Sequence, residues 1–235
     1  MTISSSNTID SWLFIAGDDL DAIEKAAKAS PTVIVIDLEE FTAKENKILA
    51  CEQFQQAVTL CQQNEVACAI RIDALSNGGA EQLLLLGHTK PYALFLPQVE
   101  TSEQLLLLTD AMTQCGLANT PLVPTIESHA GITNLEAIMS CPANILAALL
   151  GTGDLSTSLG LSKEPMRMEM MRPQRETFLA TCLQHSIIAI DGPWPDLTES
   201  QKNKSDYEKD LAFSYQSGFR SKCIIDIKQI PKLET

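Results

Sequence analysis

The chain has 235 residues, of which 45% are hydrophobic, and a formal net charge of −13 at pH 7. This length suffices for one large hydrophobic core, so we expect a single domain over residues 1–235. The negative charge argues against a nucleic-acid partner, because such binding depends on neutralising phosphates. No apolar run approaches the ~20 residues that span a bilayer, and the N-terminal residues lack the pattern of a secretion signal. We therefore expect a cytoplasmic protein without membrane partners.

The cysteine and histidine contents limit the kind of metal chemistry. The seven cysteines are scattered and include no CxxC pair, which favours reduced thiols over a disulfide framework or a zinc site. With only three histidines in the chain, a histidine-rich transition-metal centre is not expected.

Short β-branched or leucine-rich runs alternate along the chain with amphipathic stretches of helical length. The runs predicted as strands are 12–16, 33–36, 66–70, 93–96, 122–126, 145–150, 187–190 and 223–225. The longest predicted helices cover about 43–64, 163–185 and 198–217. Eight such repeats predict a (β/α)8 TIM barrel. An open doubly wound sheet is the alternative, but no Gly-x-Gly-x-x-Gly follows the first strand and no phosphate-loop lysine motif occurs.

Carboxylates end two neighbouring strands of this barrel. Glu127 follows the fifth predicted strand and Asp154 closely follows the sixth. Because barrel chemistry lies at the C-terminal ends of strands, the two acids would lie side by side at the barrel mouth. One or two carboxylates are what Mg²⁺ needs from a protein, so the pair predicts a magnesium site. The alternative is that Glu127 accepts backbone hydrogen bonds and Asp154 caps a helix.

Arg71 is the one basic residue that ends a predicted strand. Its guanidinium could bind a substrate carboxylate or stabilise an oxyanion, or it could form a structural ion pair with Asp37, Glu39 or Asp73. Asp37 and Glu39 are two residues apart, and their expected role is to orient metal-bound water or Arg71. Lys222 lies where the eighth strand begins, so Schiff-base chemistry is not expected.

Some other features near the strand ends are weaker candidates for function. Asp191 and Asp226 follow the last two strands and could equally cap the next segment. His129 could donate a proton at the site, although an exposed loop position is the simpler interpretation. A methionine-rich stretch at 166–171 is interpreted as packing against the barrel wall or a subunit interface rather than as an acyl groove.

A series of motifs, in order along almost the whole chain, resembles the citrate lyase β-subunit-like branch of the HpcH/HpaI aldolase family. SWLFIAGDD resembles the family's SWLFVPGD, VIVIDLEEFTAKENK its DLEDAV...K segment, and AIRID its VRVN. LFLPQVE resembles LPKVE, PTIESHAG resembles LIETARG, LLGTGDLSTSLG resembles FGTEDLAADLG, and AIDGPWPDL resembles the AIDG segment.

The resemblance implies a Mg²⁺-dependent carbon–carbon lyase that acts on a hydroxyacyl-CoA thioester of the citryl-, malyl- or citramalyl-CoA type. The implied route is a retro-Claisen or retro-aldol cleavage through a metal-stabilised enolate. By motif match, the metal ligands are Glu127 and Asp154, and the substrate-binding arginine is Arg71. The family's acidic pair before the second helix falls on Glu39 and Glu40. The resemblance also implies a homo-oligomer, a trimer or hexamer.

The remaining expected site residues complete this assignment. The residues expected to take part in catalysis are Arg71, Asp37 and Glu39. Those expected to bind the substrate, an acyl-CoA or a 2-keto or hydroxy acid, are Arg71, Gly153 and Asp154.

The chain also departs from the family pattern. Several positions that match basic, acidic or proline residues in the family hold other residues here: Asp10, Ala16, Gln98, Ala130 and Gly153. The chain ends soon after the eighth predicted strand, so we expect it to lack the family's C-terminal helical extension. These departures leave two alternatives: a catalytically silent paralogue that serves as a binding or complex subunit, or an aldolase acting on a free 2-keto or hydroxy acid.

Overall fold

The structure is a computed structural model that describes residues 9–161, 167–195 and 197–231. Eight parallel strands form a closed barrel in which each strand pairs with the next and the last pairs with the first. The predicted TIM barrel is therefore confirmed. The strands are β1 (Asp10–Ala16), β2 (Val33–Asp37), β3 (Ala67–Arg71), β4 (Leu94–Leu96), β5 (Leu122–Ile126), β6 (Ala147–Leu150), β7 (Ile188–Asp191) and β8 (Ser221–Ile224).

Helices surround the barrel, and their ends carry recognisable caps. The Asp19 side chain accepts a hydrogen bond at the start of the first helix, and Thr101 with Gln104 forms a capping box at the fifth. The helices are α1 (Leu20–Lys28), α2 (Lys47–Glu52), α3 (Phe54–Gln63), α4 (Gly79–Leu86), α5 (Ser102–Gln114), α6 (His129–Thr133), α7 (Leu135–Met139), α8 (Thr152–Ser158), α9 (Arg167–Met170), α10 (Arg172–Gln184) and α11 (Gln201–Ser217).

Several predicted elements differ from the structure in their bounds by one or more residues, and contacts in the structure accompany two of these differences. The single helix predicted at 43–64 is divided into α2 and α3 at Gln53, whose side-chain amide donates to the Gly17 carbonyl at 2.7 Å. The eighth strand begins earlier than predicted, because Ser221 and Lys222 pair with β7 on one side and with β1 on the other.

The methionine-rich stretch packs largely as predicted. Met168 and Met171 are buried, whereas Met170 is exposed. Met166 and the first part of the helix predicted at 163–185 lie outside the described residues.

Alternation along the strands decides which side chains enter the barrel. Interior positions are filled by a cluster of apolar side chains: Trp12, Phe14, Val33, Val35, Ala69, Ala93, Phe95, Val123, Ala147, Leu149, Ile190 and Cys223. The same alternation extends to the strand ends. Asp37 lies two residues after Val35, and Arg71 lies two residues after Ala69. Glu127 lies four residues after Val123 and so shares the interior phase. These three polar side chains consequently project into the C-terminal mouth of the barrel.

Asp191 lies on the other face of its strand, because its neighbour Ile190 occupies the interior. It forms a buried ionic cluster with Arg175 of α10 and Lys222 of β8, joined by Asp210 and Ser214 of α11. Although burial alone would raise the pKa of Asp191, the charges of Lys222 and Arg175 lower it to about 2. This cluster ties two helices to the barrel wall.

Asp226 acts as a cap, one of the two roles considered for it. Its side chain accepts a hydrogen bond of 2.7 Å from the Lys228 amide at the start of the turn Ile227–Gln229. None of the described helices is long and apolar enough to cross a membrane.

Candidate active site

Arg71 and Asp37 form the base of the barrel mouth. They end adjacent strands and are partners in the β2–β3 register. Arg71 donates from Nε to Asp37 Oδ1 at 2.6 Å and from Nη2 to Asp37 Oδ2 at 2.7 Å. The Phe14 ring lies beneath the guanidinium, 5.0 Å from its central carbon. Burial alone would lower the pKa of Arg71, but the surrounding carboxylates raise it, so the guanidinium stays charged.

Asp37 also organises the acidic loop that follows β2. Its two carboxylate oxygens accept hydrogen bonds from the amides of Glu39 and Phe41, at 3.1 and 3.2 Å. Its carbonyl accepts a bond of 2.7 Å from the Thr42 hydroxyl. With both oxygens shared between Arg71 and the loop, Asp37 is placed to orient its neighbours rather than to contact a substrate.

Glu39 and Glu40 project from this loop toward Arg71. Glu39 Oε2 lies 3.1 Å from Arg71 Nη1, and Glu40 Oε2 lies 3.3 Å from Nη2. Despite this ion pair with Arg71, Glu39 Oε2 is buried and accepts no hydrogen bond of good geometry from the described part of the chain. Burial, together with neighbouring acids and against the charge of Arg71, raises the pKa of Glu39 to about 7.

Glu127 stands across the mouth, directly after β5. It is 7% exposed, and its Oε1 accepts a hydrogen bond of 2.7 Å from the backbone amide of Gln98. Its carboxylate packs on Gly151: a Cβ on that glycine would lie 2.7 Å from Glu127 Oε2. Burial raises the pKa of Glu127 to about 7, against the opposing effect of the Gln98 hydrogen bond.

Asp154 and Gly153 lie in the first turn of α8, beside Glu127. Asp154 is exposed, and its charge is near enough to raise the pKa of Glu127. The N-cap of α8 is Gly151, so Asp154 is not the capping residue considered as an alternative. Among the described residues, no group of three or more His, Cys, Asp or Glu side chains forms a ready metal cage. The arrangement offers one or two carboxylates and leaves the other positions around a cation open.

The electrostatic effects on Glu127 connect the strand ends into one site. Glu39 and Asp154 each raise its pKa, and Arg71 lowers it. The charges of three of the predicted residues therefore affect the pKa of the fourth. The ion pair considered as an alternative for Arg71 is present with Asp37 and Glu39, whereas Asp73 pairs with Lys47 instead.

Sequence reasoning missed three contributors to the site. The Gln98 amide reaches Glu127 because Gln98 adopts a left-handed conformation with φ of 55°, for which the sequence carries no signal. Gly151 follows an apolar run directly, a position where close backbone approach could have been suspected. Lys47 ends the motif VIVIDLEEFTAKENK, which assigns it no role, and its ammonium joins two of the strand-end loops.

The closed barrel and its acidic mouth define a class: a β/α-barrel protein with a carboxylate-rich site at the C-terminal ends of its strands. The family model described as HpcH/HpaI aldolase/citrate lyase matches residues 10–226. The chain therefore belongs to the HpcH/HpaI aldolase/citrate lyase family, as its motifs predicted.

Relatives within this family are distant but matched over nearly all of this chain. Citrate lyase subunit beta from Haemophilus influenzae is 24% identical over 230 residues, which cover 95% of this chain and 77% of that protein. A (3S)-malyl-CoA thioesterase from Cereibacter sphaeroides is 22% identical over 225 residues, 94% of this chain and 74% of that protein. A solved citrate lyase beta subunit from M. tuberculosis, complexed with oxaloacetate and magnesium, matches with a TM-score of 0.75 at 21% identity, covering 95% of this chain and 94% of that one. At this identity the structural likeness establishes the fold alone.

Proposed function

We propose that this protein is a Mg²⁺-dependent carbon–carbon lyase that cleaves a hydroxyacyl-CoA thioester of the citryl-, malyl- or citramalyl-CoA type. The observation that carries the proposal is the position of Glu127. It is buried, fixed by the Gln98 amide, and faces the Arg71 cluster at the barrel mouth. Family membership and the names of the relatives supply the substrate class.

Mg²⁺ fits the residues at this site. Arg71 faces Asp37 and Glu39 together, so with Glu127 and Asp154 added the described mouth carries more negative than positive charge. Burial, with a smaller contribution from neighbouring acids, raises the pKa values of Glu39 and Glu127, and Glu39 Oε2 is a buried oxygen that accepts no hydrogen bond from the described residues. A hard divalent cation beside carboxylate oxygens would relieve that excess. Glu127 and Asp154 would hold it, as the motif match implies.

The proposed chemistry divides between the ion and the side chains. Bound Mg²⁺ would supply a Lewis acid for the hydroxyl or carbonyl oxygen of the substrate. Arg71 stays charged throughout, and Asp37 holds its guanidinium in one orientation. Its Nη1, which faces Glu39 Oε2, is the nitrogen that would donate to a substrate oxygen as charge develops there. Glu39 would orient Arg71 and the water around the site.

The bond changes of the proposed reaction balance without a further reactant. The substrate hydroxyl loses its proton, the adjacent carbon–carbon bond breaks, and a keto acid or glyoxylate leaves. The electron pair remains on the acyl-CoA fragment as an enolate, which then takes up a proton to give the shorter thioester. Gly153 and Asp154 lie in the first turn of α8, the helix that would line the substrate side of the mouth.

Product analysis tests the proposal directly. The protein is incubated with Mg²⁺ and each of the three thioesters, and acetyl-CoA, keto acid and free CoA are measured by mass spectrometry. We expect acetyl-CoA and the matching keto acid in equal amounts. We expect Glu127→Gln and Arg71→Lys to lower the rate by about 100-fold or more, since each removes an electrostatic contact to the reacting atoms. Glu81→Gln on the exposed face of α4 is the matched control.

Three other results would each contradict the lyase proposal and would each identify a different function. Free CoA without carbon–carbon cleavage would identify a thioesterase, the activity named for one relative. Cleavage of only a free 2-keto or hydroxy acid would identify an aldolase. Tight binding of Mg²⁺ and oxaloacetate without turnover would identify a silent binding subunit. That last alternative draws support from the ion pairs that already occupy Arg71.

We further propose that the chain acts as one domain, in the cytoplasm, and as a homo-oligomer. The family resemblance supports a trimer or hexamer, and large apolar side chains such as Leu84 and Leu107 are exposed on α4 and α5. Light scattering of the purified chain at micromolar concentration measures its mass. A monomer would contradict this part of the proposal.

A further inference from the structure

Lys47 joins the loops that follow β2 and β3. From the first turn of α2, its ammonium donates to both carboxylate oxygens of Asp73, at 2.8 and 2.9 Å. It also donates to the backbone carbonyl of Glu39 at 3.2 Å. The Lys47 side chain is only 17% exposed and that of Asp73 is 6% exposed. One ammonium group thus holds the acidic loop against the neighbouring strand end.

The Asp73 end of this connection is rigidly held. Gln82 of α4 donates to Asp73 Oδ2 at 2.7 Å, and its side-chain oxygen accepts from the Asp73 amide at 2.8 Å. Gly79 packs so closely that a Cβ there would lie 2.1 Å from the Asp73 carbonyl oxygen. The anchor for Lys47 is therefore part of the folded framework rather than a mobile surface acid.

At the other end of this connection, the Glu39 backbone is held at both its amide and its carbonyl. Its amide donates to Asp37 Oδ1, and its carbonyl accepts from Lys47. With its backbone fixed at these two points, the Glu39 carboxylate is directed at Arg71 and lies within electrostatic range of Glu127. Lys47 thus holds the backbone that carries the Glu39 side chain.

We propose that Lys47 is a positioning residue, and that it sets the Glu39 carboxylate against Arg71 and the Mg²⁺ ligands through a clamp formed with Asp73. The role of the clamp in catalysis rests on the proposed function. Its role in holding the acidic loop does not, because that role follows from the contacts of Lys47 alone. A lysine and an aspartate so far removed from water carry a desolvation cost, which their three short contacts with each other and with Glu39 offset.

The clamp is tested first by hydrogen exchange, independently of any activity. Lys47→Met keeps the apolar stem and removes the ammonium, Lys47→Arg restores a positive donor, and Lys44→Met is the matched control at an exposed lysine nearby. We expect the amides of Glu39 and Phe41 to exchange about tenfold faster in Lys47→Met, the effect of losing one net hydrogen bond. Exchange should return toward the wild-type rate in Lys47→Arg and stay unchanged in Lys44→Met. Unchanged exchange in a folded Lys47→Met variant overturns the clamp.

A double-mutant cycle then tests whether Lys47 acts through Glu39. Mg²⁺ affinity is measured by calorimetry in wild type, Lys47→Met, Glu39→Gln and the double variant. We expect Lys47→Met to weaken Mg²⁺ binding by about tenfold in wild type and by less than about twofold when Glu39 is already glutamine. An equal loss in both backgrounds contradicts positioning through Glu39.

The two proposals fail in different ways. If wild type does not bind Mg²⁺, the proposed function fails, while hydrogen exchange still decides whether Lys47 holds the loop. If Mg²⁺ binds and depends on Glu127, but Lys47→Met changes neither exchange nor affinity, the clamp fails and the proposed function stands.

Discussion

At the scale of single residues, the close contact between Gly151 and Glu127 gives a sharp prediction. A Cβ at Gly151 would lie 2.6 Å from Glu127 Cβ, a distance that real side chains do not adopt, so Gly151→Ala must displace the carboxylate. We expect this variant to lose Mg²⁺ binding. We also expect its free energy of unfolding to be about 1–3 kcal/mol lower than that of wild type, the usual cost of overpacking. Calorimetry and urea unfolding measure the two effects.

Gly153 provides the matched control for that substitution. It lies two residues further on, and a Cβ there would meet nothing within 4 Å. Because alanine is the better helix former, Gly153→Ala should keep metal binding and raise the free energy of unfolding by up to about 1 kcal/mol. Equal behaviour of the two alanine variants would contradict the packing described for Glu127.

Glu127 also predicts how the stability of the metal-free protein depends on pH. Its pKa is raised from 4.5 to about 7, so the folded chain keeps a proton that the unfolded chain releases between these values. Stability should therefore fall as pH rises from about 4.5 to about 7, by up to about 3 kcal/mol from this group. In Glu127→Gln that contribution disappears, which urea unfolding in EDTA at several pH values measures.

The control for this experiment is the exposed Glu81 of α4. Glu81→Gln should leave the fall in stability as it is in wild type. If Glu127→Gln and wild type instead lost stability in parallel over this pH range, the burial of an uncompensated Glu127 carboxylate would be refuted.

At the scale of secondary-structure elements, the ionic cluster around Asp191 stabilises the last part of the barrel. Lys222 contacts Asp191 at 2.8 Å and Asp210 at 2.9 Å, and all three groups are buried. Lys222→Met leaves two acids facing Arg175 alone, and removing one partner of a buried pair is costly. We expect a loss of about 3 kcal/mol in the free energy of unfolding, against less than about 1 kcal/mol for Lys209→Met, which breaks an exposed pair with Asp206. Equal losses would contradict a buried cluster.

The region around β8 shows which structural features could be predicted from sequence patterns and which could not. The β-branched runs predicted all eight strands, because parallel barrel strands are buried on both faces and form nearly continuous apolar runs. The start of β8 was predicted too late because it contains Lys222. A charged residue is not expected in a buried strand unless ion pairs with other parts of the fold compensate its burial, as they do here. Those partners, Asp191 and Asp210, come from β7 and α11.

Strand alternation explains which strand-end acids could have been assigned from the sequence. Asp37, Arg71 and Glu127 share the phase of interior residues, and Asp191 does not. Applied strictly, that alternation would have placed Asp191 outside the mouth. The split of the predicted helix at Gln53 could not be foreseen in this way, because it follows from a contact with Gly17 at the end of β1.

At the scale of the whole molecule, the barrel explains why these residues meet at all. Asp37 and Arg71 end β2 and β3, and the two candidate ligands follow β5 and β6, so closure of the sheet brings them to one rim. The aromatic side chains of Phe14 and Phe95 fill the interior below, with ring centroids 5.3 Å apart, and support Arg71 from beneath. The apolar interior thus disfavours the ionised form of the buried acids unless a cation lies beside them.

The most direct test of this account is calorimetric titration of the purified chain with Mg²⁺, in wild type, Glu127→Gln and Glu81→Gln. We expect wild type and Glu81→Gln to bind the ion with the same affinity, and Glu127→Gln to bind it about tenfold more weakly or not at all. Absence of Mg²⁺ binding in wild type, or binding that Glu127→Gln leaves unchanged, would contradict the central claim that the buried acid at the end of β5 holds a catalytic cation.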